Sequence, residues 1–247
     1  MQFPYDSNSI LAYLDPIDQY MIRKGSTVQT IYNRVNNQAM IQPTVAAQPT
    51  YSLTAMNGLP GWVFDGTSQR ITLSLPKVAI SKPKPLTLAY ALANGSNFNF
   101  GFNIGSATLP NPQIFLGFVP TSLDAVDNVD VVIQDDTGAN DAAYATIAVD
   151  SNTHIVSAII DTTQLTLRFD GKVVATAPIS STAGNSITLD QLALGDVSDG
   201  SVGGTGHFYF AGSIGKVIIE QGDVANLAGE KYLLDYYSIP VNYDVQF

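Results

Sequence analysis

The sequence predicts an all-β protein, a two-sheet antiparallel sandwich of the jelly-roll kind with one short C-terminal helix. Three observations carry that expectation. Short apolar runs alternate with polar residues at a period of two along much of the chain, the spacing of a strand with one buried face. Clusters of Gly, Pro, Asn and Asp punctuate these runs at short intervals. Glu220 and Glu230 are the only glutamates, so nearly all the acid sits on aspartate, a turn former, and not on a helix former.

The elements follow in order. Residues 10–14 fit a short helix or a strand before Asp15-Pro16. Residues 28–33 read as a strand, and a polar stretch rich in Asn and Gln runs on to Pro49. Asn57-Gly58-Leu59-Pro60-Gly61 is turn chemistry, since Asn and Gly tolerate positive φ. In 70–75, Ile71, Leu73 and Leu75 face one way and Arg70, Thr72 and Ser74 the other. Residues 76–85, with Pro76, Lys77, Lys82 and Lys84, read as an exposed loop. A strand over 86–93 then turns at Asn94-Gly95 into 98–103, where Phe98, Phe100 and Phe102 alternate with Asn97, Asn99 and Gly101.

Further strands are expected over 114–119, 129–133 and 144–149. The apolar run 155–160 suits a central strand, and 164–169 follows it after Asp161-Thr162-Thr163. Asp170-Gly171 is a two-residue hairpin signal leading into 172–177. Strands around 187–194, a glycine-rich loop over 196–206 and a long strand over 207–219 complete the β region. Ala228, Tyr232 and Tyr236 then recur at helical spacing, with Asn226 as N-cap, Glu230 early and Pro240 as the stop.

A chain of 247 residues fits one domain over 1–247, with short extensions at about 1–9 and 241–247. It is long enough to bury a core without staples. There is no cysteine, which excludes disulfides, zinc-thiolate sites, redox pairs and a thiol nucleophile. A formal net charge of −10 argues against nucleic acid and anionic lipid as partners. Residues 1–10 lack the basic start and apolar core of a signal peptide, and no apolar run reaches membrane-spanning length.

Several stretches, in this order, carry a family likeness. They begin with Leu11-Ala12-Tyr13-Leu14-Asp15 and Asp18, then Gln48-Pro49-Thr50-Tyr51, the Asn57-Gly58-Leu59-Pro60 turn and Val63-Phe64-Asp65-Gly66. Leu167-Arg168-Phe169-Asp170-Gly171-Lys172 and Leu192-Ala193-Leu194-Gly195 follow, and then Phe210-Ala211-Gly212-Ser213-Ile214. Tyr232-Leu233-Leu234-Asp235-Tyr236-Tyr237-Ser238-Ile239-Pro240 closes the series. Over residues 10–240 the chain resembles the laminin-G-like branch of the concanavalin A-like lectin/glucanase superfamily. Modules of this kind are frequent in bacteriophage structural proteins. The resemblance therefore implies a non-enzymatic virion structural, decoration or fibre-associated protein, multicopy or homo-oligomeric, exposed on the particle. It would bind other virion proteins and, in some cases, host-surface glycans. A free lectin or adhesin and a polysaccharide-degrading enzyme with an atypical site are the alternatives.

Glucanases of the superfamily place carboxylates as Glu-x-Asp-x-Glu on one strand, on one face and at the separation that glycoside hydrolysis needs. Neither Glu220 nor Glu230 has an acid two residues away, so no catalytic residue is expected. Asp124, Asp127, Asp130, Asp135 and Asp136 form the densest acidic stretch, read as solvated turn aspartates. They lack the spacing of a calcium loop. Calcium at a loop rim rests on the resemblance alone, and no cofactor is otherwise expected.

His154 and His207, the two histidines, read as ordinary hydrogen-bonded residues. The loop 200–206 lacks the Gly-Lys-Ser/Thr ending of a phosphate loop. Asn97, Asn99, Asp196, Asp199 and His207 are the candidate glycan ligands, since sugars are held by Asn/Asp hydrogen bonds and aromatic faces. Of the aromatics, Trp62 is read as core and Tyr144 as a lesser candidate. Tyr243, Val245 and Phe247 give the C-terminal extension an apolar character suited to docking on a neighbouring subunit.

Overall fold

The computed structural model describes residues 10–80, 85–97, 102–105, 113–120, 127–147, 150, 152–198, 207–222 and 227–240. Its strands begin with β1 (Ile10–Leu14), β2 (Met21–Lys24), β3 (Thr27–Tyr32), β4 (Ala39–Ile41), β5 (Thr50–Met56) and β6 (Leu59–Asp65). The middle of the chain supplies β7 (Ile71–Ile80), β8 (Leu86–Asn97), β9 (Phe102–Gly105), β10 (Gln113–Pro120), β11 (Asp127–Gln134) and β12 (Asn140–Thr146). Then come β13 (Thr153–Ile160), β14 (Gln164–Phe169), β15 (Lys172–Pro178) and β16 (Ile187–Leu194). The last strands are β17 (Asp196–Ser198), β18 (His207–Tyr209) and β19 (Ala211–Gln221), followed by α1 (Ala228–Tyr236).

All pairings of the described strands are antiparallel, and apart from a separate two-stranded ribbon of β17 and β18 they form two layers. One runs β12-β11-β10-β9-β16-β7-β4-β3-β2. The other runs β15-β14-β13-β8-β19, with β1 on one end of β19 and the β6-β5 hairpin on the other. A pairing of Thr27 with Thr50 joins the layers. The inward faces supply one core, with Trp62, Tyr90, Phe102, Leu116, Val131, Leu167 and Leu192 among its buried members. This is the expected all-β jelly-roll sandwich with one short helix.

The strand β8 shows how sequence positions the layers. In Leu86-Thr87-Leu88-Ala89-Tyr90-Ala91-Leu92-Ala93 the large residues point into the inter-sheet core and the alanines point the other way. Those small side chains leave room for α1, whose Tyr232, Leu233 and Leu234 cover them. Glu230 fastens the helix from beneath. It accepts the Ser157 hydroxyl and pairs with Arg168 at Nε (2.7 Å) and at the second terminal nitrogen (3.0 Å).

Two turns follow their sequence signals. Asn57-Gly58 and Asp170-Gly171 both place two successive residues at positive φ, as a tight hairpin turn requires. His154 braces the second through Nδ1 to Asp170 (2.8 Å) and also meets Asp150 (3.0 Å).

Several boundaries differ from the sequence reading. The expected loop at 76–85 is strand as far as Ile80; Pro76 falls where the β7-β16 register shifts, a place that tolerates a missing N–H. Asn94-Gly95 lies within β8 at a register shift against β19, not in a turn between strands. The 196–206 loop begins as β17, which pairs with β18, and the long 207–219 strand breaks at Phe210. Short strand β4 lies in the polar stretch that runs to Pro49, and β2 lies where no element was expected. The helix is entered at Leu227, which makes no side-chain cap, and the expected cap Asn226 lies outside the described residues.

Candidate functional site

Alternation assigns half of each strand in the β12-to-β2 layer to the core and half to the outward face. In β9, Phe102 and Ile104 are core, so Asn103 faces out; in β16, Leu192 and Leu194 are core, so Gln191 and Ala193 face out. At the end of β16, Gly195 takes φ +81 and turns the chain. A side chain there would strike the Phe64 ring and approach the Gln69 carbonyl to 2.9 Å. Asp196 follows at once and is delivered beside Arg70, which precedes β7.

These residues line a pocket of about 430 Å³ on the outward face, together with Ile41, Gln42, Pro43, Thr44 and Thr72. Arg70 donates to Asp196 Oδ2 at 2.8 Å. Gln42 is a structural brace, donating to the Arg70 carbonyl at 2.9 Å and accepting from the Thr44 N–H at 3.1 Å. Asn103 is 6% exposed, and its side-chain oxygen has no hydrogen-bond partner among the described residues. A buried acceptor left unmatched costs about 1–3 kcal/mol unless something else meets it. Exposed Ile41 forms the apolar lip.

Of the sequence candidates, Asp196 stands in this pocket. Asn97 lies on β8 opposite Ala211, and His207 on β18 opposite Ser198, both described by backbone alone. Asn99, Asp199, Tyr243, Val245 and Phe247 lie outside the described residues. Trp62 is fully buried and donates to the Met21 sulfur at 3.0 Å, whereas Tyr144 stands 66% exposed on β12. Arg70, Asn103 and Gln191 were not singled out. The signal was present: Arg70 and Thr72 are the outward positions of an alternating strand, and Asn103 continues the series Asn97, Asn99, Gly101.

The acidic stretch is not the run of solvated turn aspartates expected. Asp127 and Asp130 lie on β11, where pairing with β10 and β12 takes them into the sheet, and Asp135 is buried in the turn that follows. Asp135 accepts the Thr137 N–H (2.8 Å), the Thr137 hydroxyl (2.7 Å) and the Ala139 N–H (3.0 Å), and Asn185 meets its other oxygen. Burial would raise its pKa, but these bonds outweigh that and lower it. Asp136 accepts from the Thr188 N–H and hydroxyl. Asp130 differs: burial pushes its carboxyl up to about 6, and one of its oxygens is unpartnered among the described residues. Asp124 lies outside the described residues. Among the described residues no group of three acids or histidines gathers as metal ligands do.

No protein-family model and no curated sequence matches the chain. Solved structures do. The binding domain of botulinum neurotoxin serotype D superposes with a TM-score of 0.62 at 10% identity, covering 97% of this chain and 56% of that one. A second neurotoxin binding domain, serotype DC in complex with SialylT, gives 0.51 at 8%, covering 95% and 52%. Domains LG4-5 of the mouse laminin α1 chain give 0.51 at 16%, covering 82% and 53%. The chain thus spans about half the length of these neighbours. At such identities the likeness concerns the fold alone, an antiparallel jelly-roll sandwich that the laminin LG domains share.

Proposed function

We propose that this chain is a non-catalytic carbohydrate-binding domain that holds a glycan in the pocket formed by Arg70, Thr72, Asn103, Gln191 and Asp196. The observation that carries the reading is the Asn103 oxygen, buried, unpartnered among the described residues and lining the pocket. A hydroxyl-rich ligand would satisfy it, and the flanking amide and guanidinium groups suit the same chemistry. The fold adds support, since a structural neighbour was solved in complex with SialylT. Against hydrolysis, the described lining holds one carboxylate, Asp196, already paired with Arg70, where two opposed acids are needed.

The same proposal places the domain on a virion, as a decoration or fibre-associated protein present in several copies. That placement rests on the likeness to phage structural modules noted for the sequence. It would be tested by affinity of the purified protein for particles lacking it.

A glycan array with and without calcium tests the binding reading. A saturable signal that Asn103→Ala or Gln191→Ala removes is expected. A flat array in both conditions overturns it.

A further inference from the structure

The pocket is one end of a longer surface. Ile41 pairs with Thr72, Thr72 with Ala193, Ala193 with Asn103, Asn103 with Phe115, Phe115 with Val132 and Val132 with Ala142. Cross-strand partners share a sheet face, so these side chains form one row across seven strands. On one flank Gln191, Gly105, Gln113 and Gln134 pair in turn, and Gln113 donates to Gln134 at 2.9 Å. On the other, Asp130 lies between Gly117 and Tyr144.

That second flank carries features that core packing does not account for. Tyr144 holds its ring in solvent. Its neighbour Asp130 keeps an oxygen buried and unpartnered among the described residues. The residue opposite Asp130 is Gly117, which offers no side-chain hydrogen-bonding group to that oxygen. Half-buried Phe115 and Val132 fill the space toward Asn103. From β9 to β12 is three strand spacings, about 14 Å, more than a single pyranose ring spans.

We propose that the binding face runs from the Arg70–Asn103 pocket to Tyr144 and takes a neutral oligosaccharide of several rings, one stacked on Tyr144 and hydrogen-bonded by Asp130. This rests on the glycan-binding reading and adds the ligand class. Neutrality follows from charge. Arg70 is the cation of the described pocket lining, and the Asp196 carboxylate lies 2.8 Å from it. Asp130 adds a second acid further along. A carboxylate-bearing sugar would meet two acids for one guanidinium, in a chain of net charge −10. Glutamine amides, which both donate and accept, suit uncharged hydroxyls instead. Tyr144 offers an apolar ring with a polar tip, the form of side chain that meets an amphipathic partner.

Calorimetric titration with unbranched gluco-, galacto- and manno-oligosaccharides of one to six rings, each also in sialylated form, provides the test. Affinity is expected to rise with length and then level off. Tyr144→Ala should weaken the longest ligands by about tenfold and leave the shortest unchanged. Asp130→Asn should act in the same sense, and Gln191→Ala should weaken all lengths. If Tyr144→Ala and Asp130→Asn leave long ligands untouched while Gln191→Ala still weakens all lengths, the extended face is wrong and the pocket stands. Tighter binding of the sialylated forms overturns the neutral class. If no oligosaccharide binds the unmodified protein, the face and the pocket reading fall together.

Discussion

The guanidinium of Arg70 lies 2.8 Å from the carboxylate of Asp196, across 126 positions of sequence. The pair ties the approach to β7 to the start of β17, and it also lines the pocket. Stability and binding can be separated there. Arg70→Ala should lower unfolding free energy by on the order of 1–3 kcal/mol, because it takes the cation from a mostly buried acid. Arg70→Met combined with Asp196→Leu should recover most of that loss, since an apolar pair of similar volume replaces an ion pair at little cost. Denaturant unfolding checks both, and the double variant should remain unable to bind glycan.

The helix clamp is the more costly contact to break. Arg168 and Glu230 are 11% and 2% exposed at the side chain, and Glu230 also accepts from Ser157. Arg168→Ala should therefore destabilise by about 3–5 kcal/mol, the range for an orphaned buried charge. Hydrogen exchange should rise first at α1, over Ala228–Tyr236. Unchanged exchange at the helix would show that the apolar face of α1 alone holds it.

Stability should peak in weakly acidic solution. Burial pushes Glu220 up to about 7, against an opposing bond from the Gly229 N–H. A raised folded value means its contribution is complete below the unfolded value and is lost as pH rises through about 7. His154 acts in the same sense: burial opposes protonation, but Asp170 and Asp150 outweigh it and raise the pKa. Asp141 works oppositely. Burial would raise its pKa, yet bonds from Thr182, Ser181 and Ser180 hold the carboxyl well below the usual range. Its contribution is present above its unfolded value and lost as pH falls through the folded one. Thermal melts should show Tm falling from pH 5.5 to 8, a fall reduced in Glu220→Gln, and a steeper acid limb that Asp141→Asn flattens.

Gly195→Ala should be among the most damaging single-methyl changes in the chain. The position needs a left-handed backbone, and the added carbon would enter the Phe64 ring. A loss of at least about 2 kcal/mol is expected by denaturant unfolding, with glycan binding weakened as Asp196 is displaced.

Sheet content and the closing helix were legible because alternation and turn chemistry are local. The Asp170-Gly171 hairpin and the buried run 155–160 both stand where the residues put them. Elements that depend on distant partners were not legible. Pro76 looks like a strand breaker until β16 is placed beside it with a shifted register. Three-residue β4 has too little sequence to announce itself, and pairing with β3 and β7 defines it. The pocket suffers the same difficulty. Asp196 was visible as a loop acid, but Asn103 and Gln191 come from two different strands and Arg70 from the approach to a third, and only register brings them together.

Because successive strand residues point to opposite sides, the row from Ile41 to Ala142 shares no side chains with the core beneath it. The outward positions are therefore free to drift while the inward ones are held by packing. A substitution along that row changes the chemistry offered to solvent and leaves the packed interior as it was.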